Sequence, residues 1–231
     1  MTQAPMLTGI SSMATRQVLA ALAARCAHET GIHVEVESCG GVEAARRVAA
    51  GEAFDVVWLA SDALEKLAAS GRIIADSRVE LLRSETWVAV RKGAARPDIG
   101  SEAAVREAVL RAKTLGHSTG PSGAHINALL ERWGIAGHVA PRIVQAPPGM
   151  PVATLIARGE IELGFQQRSE IEGIEGVDAA GPLPAAIAKT TTFAGAVCAC
   201  SRQPAHARAL LAFMALSAND AVKRGHGMEP A

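Results

Sequence analysis

The chain has 231 residues, of which 49% are hydrophobic but only 3% aromatic, and it contains no tyrosine. Its 23 lysine and arginine residues are balanced by 23 acidic residues, and it has no basic run or aromatic platform of the kind that nucleic acids require. An aliphatic composition of this kind is typical of buried parallel strands covered by alanine-rich helices, so we expect an α/β protein that does not bind nucleic acid.

The first third of the chain repeats a strand followed by a helix three times. Apolar residues that alternate or run continuously predict strands at residues 7–10, 32–36 and 55–60. Each strand is followed by a helical stripe that ends at a glycine, namely Gly31, Gly51 or Gly71. Consecutive units of this kind favour a parallel, wound sheet.

The rest of the chain contains two long apolar runs with a second set of strand–helix units between them. The runs at residues 79–90 and 190–200 are long enough to cross from one lobe to another. Between them we predict helices and short strands, followed by a glycine-containing loop at 173–182, and two helices close the chain after residue 204. The chain is therefore predicted to form one lobe from residues 1–83 and 190–231 and another from 84–189. Each lobe would be a mostly parallel sheet flanked by helices, and two crossing strands would join them.

Small and hydroxyl-bearing residues follow the predicted strands at five turns, at residues 11–12, 40–41, 118–120, 148–150 and 166–167. A ligand would lie in the cleft between the lobes, where strands end and helices begin. Helix N-termini supply free N–H groups and positive potential, which suit a small anion. Serine and threonine are also ordinary helix caps, so no single turn indicates a binding site. The hypothesis of an anion site therefore depends on all five turns lying close together after parallel strands. The candidate ligand-binding residues are Ser11, Ser12, Gly40, Gly41, Ser118, Thr119, Gly149, Met150, Gln166 and Gln167.

Charged and titratable side chains near these turns are further candidates. Arg83 lies at the predicted crossing and would suit a carboxylate through a bidentate pair, although a solvated arginine at a strand edge is the alternative. His117 precedes the turn at 118–120 and could bind a ligand or act as a base near neutral pH. The alternative is a histidine satisfied by the protein itself. If the protein is an enzyme, His117 and Glu85 are the candidate catalytic residues.

Metal, cofactor and hydrolase chemistry find little support in the sequence. No carboxylate or histidine cluster has the spacing of metal ligands, so we expect no metal and no cofactor. Residues 120–124 read G-P-S-G-A and miss the last glycine of the hydrolase motif G-x-S-x-G, while Pro121 favours a helix start. We therefore exclude a serine hydrolase.

The cysteines and the first residues bear on the compartment. Cys198 and Cys200 alternate in an apolar run and are predicted to share one face of a strand. Free thiols would favour a reducing compartment, and a disulfide pairing is the alternative. The first residues have no basic segment, and the apolar stretch after them is too short for a signal peptide. No apolar run approaches a membrane span. We expect a periplasmic protein if a leader has been removed and a cytoplasmic one otherwise, without membrane insertion.

Several segments, in order along nearly the whole chain, resemble the periplasmic molybdate-binding proteins and the wider group of type II solute-binding proteins. Residues 10–13 (I-S-S-M) resemble the first strand-to-helix turn of that family, which contributes a ligand-binding serine, and residues 38–41 (S-C-G-G) resemble the second. The remaining similarities are D-V-V-W-L-A-S-D at 55–62, R-G-E with L-G-F at 158–165, G-P-L-P at 181–184 and G-M-E-P at 227–230. The resemblance implies a two-lobed type II fold that binds an oxyanion or a small carboxylate. It also implies that the protein is a monomer and works with an ABC permease.

Two departures from the molybdate-binding pattern favour an alternative function. Gln167 stands where those proteins typically have a tyrosine, and Cys39 lies in the turn where a serine is expected. Because aconitate isomerase resembles the same group, the alternative is an isomerase that shifts an allylic proton of a small unsaturated di- or tricarboxylate. In that case Arg83 and helix N-termini would hold the carboxylates. The first hypothesis is therefore a binding protein for a small anion, and the second is this isomerase. The third is a ligand-binding regulatory domain of a larger protein.

Overall fold

The computed structural model describes residues 6–147 and 149–231. The predictions for the first five residues and for Pro148, part of one predicted ligand turn, lie outside these residues. The chain forms two compact units. Unit 1 contains the described residues up to Arg83 together with Thr192–Ala231, and unit 2 contains Ser84–Thr191.

Ten strands and nine α-helices are found in the described residues. The strands are β1 (Met6–Ser12), β2 (His33–Cys39), β3 (Val56–Ala60), β4 (Val79–Arg91), β5 (Leu115–His117), β6 (Ile143–Gln145), β7 (Leu163–Gln167), β8 (Val177–Pro182), β9 (Thr190–Val197) and β10 (Glu229–Pro230). The helices are α1 (Arg16–Thr30), α2 (Gly41–Ala49), α3 (Ser61–Ala69), α4 (Glu102–Arg111), α5 (Pro121–Arg132), α6 (Ala136–Val139), α7 (Val152–Ala157), α8 (Pro204–Ala215) and α9 (Asp220–Gly225). The predicted α/β class is confirmed.

Unit 1 is built on a sheet in the order β2-β1-β3-β9-β4, with β10 paired to β4. Strand β1 pairs in parallel with both β2 and β3, whereas β9 runs antiparallel to β3. Aliphatic side chains cover both faces, one with residues of α1 and α8 and the other with residues of α2 and α3. Because β1, β2 and β3 are parallel, their carboxyl ends meet at one edge, which we call the carboxyl edge of unit 1.

Unit 2 is built on a sheet in the order β4-β7-β5-β6, with β8 paired to β4. Strand β5 pairs in parallel with β6 and β7, and β4 runs antiparallel to β7. Helix α7 lies directly on β7, since a Cβ added at Gly164 would be only 2.4 Å from Ile156 Cδ1. The unit boundaries fall within β4 and β9, so these two strands carry the chain from one unit to the other.

Two local predictions are wrong. The predicted loop at 173–182 contains strand β8, which pairs with β4 through a register shift. Its sequence V-D-A-A-G-P does not alternate between apolar and polar residues, so periodicity gives no strand signal there. Cys198 and Cys200 do not share a strand face, because β9 ends at Val197 and the chain turns. Cys198 is buried and Cys200 is exposed.

All four cysteines are free thiols. Of the helices in the part of the chain that the structure describes, none is both long and apolar enough to cross a membrane.

Candidate functional site

Two serine hydroxyls meet at the carboxyl edge of unit 1. Ser11, the penultimate residue of β1, lies opposite Ser38, the penultimate residue of β2, in the parallel register, and their Oγ atoms are 2.8 Å apart. Ser11 is fully buried, and its Oγ also lies 3.3 Å from the carbonyl oxygen of Ser12. The pairing of β1 with β2 therefore presents two hydroxyls side by side where both strands end.

The next residues lead from β1 into α1 and bring α2 close. Thr15 Oγ1 donates to the Ser12 carbonyl at 3.0 Å, and the Ser12 and Thr15 hydroxyls are 3.5 Å apart. A Cβ added at Gly41, the first residue of α2, would lie 3.5 Å from Ser12 Cβ. The predicted residues Ser11, Ser12 and Gly41 are thus brought together, with Gly40 as the N-cap residue of α2.

The helix starts at this edge are not capped by side chains. Among the described residues, no side-chain cap bond is made at the start of α1, α2 or α3. By contrast, Ser101 caps α4, and its Oγ accepts a hydrogen bond from the Ala104 N–H at 3.1 Å. The serines at the carboxyl edge therefore do not serve as ordinary caps, and first-turn N–H groups of these helices have no partner within their own helix.

His117 ends β5 in unit 2 and is buried, with 3% of its surface exposed. Its Nδ1 lies 3.1 Å from the Ser118 carbonyl oxygen, which assigns the proton to Nδ1 and leaves Nε2 as an acceptor. Nε2 is buried and has no hydrogen-bond partner in the part of the chain that the structure describes. An unpaired buried acceptor of this kind is unfavourable for the isolated fold.

The turn after His117 packs tightly under α5. Ser118 Oγ accepts a hydrogen bond from the Gly120 N–H at 3.2 Å and lies 3.4 Å from Ser122 Oγ. A Cβ added at Gly123 would be 1.7 Å from the Ser118 carbonyl oxygen, so this helix position requires glycine. Ser118 and Thr119, both half-buried, lie together with His117 as predicted candidates of unit 2.

Gln166 is committed to hydrogen bonds within unit 2. Its side-chain Oε1 accepts from the Ala153 N–H at 3.1 Å, and its Nε2 donates to the Glu170 carboxylate at 2.8 Å. Burial raises the pKa of Glu170 to about 7, against the opposing effect of the Gln166 hydrogen bond. The amide of this predicted ligand residue therefore links the first turn of α7 to a titratable carboxyl.

Gln167 is equally engaged. Its side-chain Oε1 accepts a hydrogen bond from the Thr191 hydroxyl at 3.0 Å. Its Nε2 donates to Ser84, at 3.1 Å from the carbonyl oxygen and 3.2 Å from Oγ. Only 1% of the residue is exposed. Gln167 therefore joins Ser84 of β4 to Thr191 of β9, and both the oxygen and the nitrogen of its amide have partners within unit 2.

The remaining predicted residues lie at the surface or in a turn. Arg83 and Glu85 are exposed, on either side of the unit boundary in β4. Gly149 is exposed with a φ of 82°, and the Met150 N–H donates to the Pro147 carbonyl at 3.0 Å. The described residues contain no group of three or more His, Cys, Asp or Glu that could hold a metal ion.

Sequence reasoning left Ser38 and Ser61 off the list of ligand-binding candidates. Ser38 becomes a candidate only once β2 is known to pair with β1, because that register places it beside Ser11. Ser61 follows a buried apolar strand and begins α3. Its place in the third strand-to-helix turn is the sequence signal that could have identified it as a candidate.

The fold is that of the type II periplasmic binding proteins, and the chain belongs to the family of bacterial extracellular solute-binding proteins, whose model matches residues 7–229. A curated aconitate isomerase from Pseudomonas sp. is 37% identical over 187 residues, which cover 80% of this chain and 70% of that protein. The predicted resemblance is thereby confirmed.

Solved structures of binding proteins share the fold at low sequence identity. The periplasmic molybdate-binding protein of Azotobacter vinelandii superposes with a TM-score of 0.76 at 19% identity, covering 96% of this chain and 98% of that one. The sulfate-binding protein SubI of Mycobacterium tuberculosis H37Rv gives 0.77 at 15% identity, covering 98% and 87%. The tungstate-binding protein TupA of Desulfovibrio alaskensis G20 gives 0.68 at 16% identity, covering 99% of both chains. At these identities the likeness shows the fold alone.

Proposed function

We propose that this protein binds a small anion, either an oxyanion or a small carboxylate, and serves as the solute-binding component of an ABC transporter. The observation that carries the proposal is the carboxyl edge of unit 1, where the paired hydroxyls of Ser11 and Ser38 lie beside uncapped helix starts. Hydroxyl and N–H donors stabilise an anion without a cationic side chain, which suits a chain of net charge zero.

We further propose that the protein works in the periplasm. The two units act as the lobes of the binding fold, and both contribute residues that bind the ligand. Unit 1 would supply Ser11, Ser12 and the turn at 40–41. Unit 2 would supply Ser118 and Thr119, whose turn precedes α5, while Gln166 and Gln167 would support the site through the hydrogen bonds described above. A substitution in either unit should then weaken the binding of the same ligand.

Calorimetric titration tests this proposal with molybdate, tungstate, sulfate, phosphate, citrate and the two aconitates. We expect one class of anion to bind and Ser11→Ala to weaken that binding. A hydrogen bond to a charged group contributes about 1.5–3 kcal/mol, so the dissociation constant should rise roughly 10- to 150-fold. Ser101→Ala is the matched control, because this serine caps α4 and should affect stability without affecting affinity. Absence of binding by every anion of the panel would contradict the proposal.

A second candidate is an isomerase acting on a small unsaturated di- or tricarboxylate, and the 37% identity to an aconitate isomerase favours it. A base would remove an allylic proton, the double bond would shift through the resulting delocalised anion, and a proton would return to give the isomer without net oxidation. Of the two candidate bases, His117 is better placed than the exposed Glu85. The His117 Nδ1–H is bonded to the Ser118 carbonyl, which leaves the unpartnered Nε2 as the atom that can accept a proton. Arg83 would hold a carboxylate.

Proton NMR of trans-aconitate in D2O with the pure protein tests the isomerase. Turnover should produce cis-aconitate and incorporate deuterium, and His117→Ala should abolish both while Glu85→Gln leaves them intact. If the wild-type protein binds aconitate tightly and neither converts it nor exchanges its protons, the isomerase candidate is wrong and the binding protein remains.

A further inference from the structure

Ser61 begins α3 at the same edge of unit 1 as Ser11 and Ser38. It follows β3, which pairs in parallel with β1 so that Trp58 lies opposite Ser11. Since the three strands run in the same direction, the turn after β3 emerges beside the ends of β1 and β2. The edge therefore carries a serine within one residue of the end of each of three adjacent parallel strands.

The hydroxyl oxygen of Ser61 is buried, although the residue as a whole is partly exposed, and it has no hydrogen-bond partner in the part of the chain that the structure describes. It does not cap its own helix, whose N-cap residue is Ala60. A buried hydroxyl without a partner is unfavourable, because folding removes it from water without replacing the lost hydrogen bonds. The fold of unit 1 thus gains no stability from this oxygen.

Ser77, another serine of unit 1, shows the ordinary situation. Its Oγ donates to the Ile74 carbonyl at 2.5 Å and accepts from the Val197 N–H at 2.9 Å, and so joins the segment before β4 to β9. The two serines are therefore a natural pair for comparison. One hydroxyl is used by the fold, and the other is buried at the edge where the ligand is proposed to bind.

We propose that Ser61 Oγ donates a hydrogen bond to the bound anion, so that three adjacent strands each supply a hydroxyl to the ligand. The inference rests on the proposed function and extends it to a residue outside the predicted set. Three hydroxyls at one edge suit a ligand that presents at least three acceptor oxygens, as tetrahedral oxyanions and tricarboxylates do. Asp62, the neighbouring carboxylate, is exposed, where solvent screens its charge.

The experiment compares Ser61→Ala with Ser77→Ala in the full chain. Affinities for molybdate, citrate and trans-aconitate are measured by calorimetry, and melting temperatures are measured without ligand. Ser61→Ala should weaken the binding of the anion that the wild-type protein takes by roughly 10-fold or more, while its melting temperature stays the same or rises. Ser77→Ala should show the opposite pattern, a lower melting temperature with unchanged affinity.

The outcomes separate this inference from the proposed function. If the wild-type protein binds an anion and Ser61→Ala binds it equally well, the inference is overturned and the proposed function stands. A loss of affinity accompanied by a drop in melting temperature as large as that of Ser77→Ala would assign Ser61 a structural role and also overturn it. If the wild-type protein binds none of the three anions, the inference falls together with the proposed binding of these ligands.

Discussion

The buried carboxyl of Glu170 should make the stability of unit 2 depend on pH. Its carboxyl is buried although the residue as a whole is partly exposed, and its contact is the Gln166 amide at 2.8 Å. The nearest charged neighbours on the same turn, Arg168 and Glu172, pair with each other at 2.8 Å. Helix α7, which Gln166 also contacts, contains no charged residue. Burial therefore raises the pKa of Glu170 from 4.5 to about 7.

The sign and size of the effect follow from this shift. Below pH 4.5 the carboxyl is protonated in both the folded and the unfolded chain, and folding carries no penalty. As the pH rises towards 7, the unfolded chain ionises while the folded chain resists ionisation, so stability is lost, and the full penalty is reached above pH 7. At roughly 1.4 kcal/mol per pKa unit, the upper bound is about 3.5 kcal/mol, and solvent contact of the partly exposed residue reduces it.

Glu170→Gln removes the titration but keeps an oxygen that can accept from Gln166 Nε2. We expect the variant to melt several degrees above the wild-type protein at pH 8 and at nearly the same temperature at pH 4.5, because about 1 kcal/mol corresponds to roughly 2–4 °C for a chain of this size. Differential scanning calorimetry at both pH values measures this. Glu172→Gln, which removes an exposed ion pair, is the control and should show no gain at pH 8. An equal difference between variant and wild type at both pH values would refute the reasoning.

Two further predictions concern packing and thiol chemistry. Gly123→Ala should lower the free energy of unfolding by about 2 kcal/mol or more, because its Cβ would lie 1.7 Å from the Ser118 carbonyl oxygen. Urea denaturation measures this loss. Gly137→Ala, which has open space at the new Cβ, is the control and should not lower the free energy of unfolding in this way. Cys200 should react with a thiol reagent in the native state while Cys198 does not, because Cys200 is exposed whereas burial raises the pKa of Cys198 to about 12. Mass spectrometry of the labelled protein shows which cysteine has reacted. Labelling of Cys198 before Cys200 would contradict the prediction.

The sequence predicts the strand–helix units of the fold well because their signals are local. A buried run such as residues 55–60, followed by a helical stripe and a terminal glycine, needs no knowledge of distant residues. Strand β8 has no such signal, and its existence depends on the edge that β4 offers to it. The same holds for the strand order, which sequence periodicity leaves open and which decides that Ser38 lies beside Ser11.

The two glutamines illustrate what the sequence leaves undecided within the candidate site. The sequence predicts a ligand turn at residues 166–167, and both glutamines lie at the end of β7. The direction of each side chain, however, depends on which elements cover the two faces of the sheet. Gln166 turns towards α7, and Gln167 turns towards Ser84 and Thr191. Alternation along the strand determines that they point apart, and only the tertiary structure determines what each meets.

Ser101 and Ser11 both lie next to helix starts but play different roles, and the element that precedes each serine distinguishes them. Ser101 follows a loop, and its hydroxyl caps α4. Ser11 lies near the end of β1 in parallel register with Ser38, and their hydroxyls bond each other, while the N–H groups at the adjacent helix starts receive no side-chain cap. Donors in this arrangement are satisfied best by the oxygens of an anion. The geometry of neutral donors, rather than the net charge of the chain, therefore favours an anionic ligand.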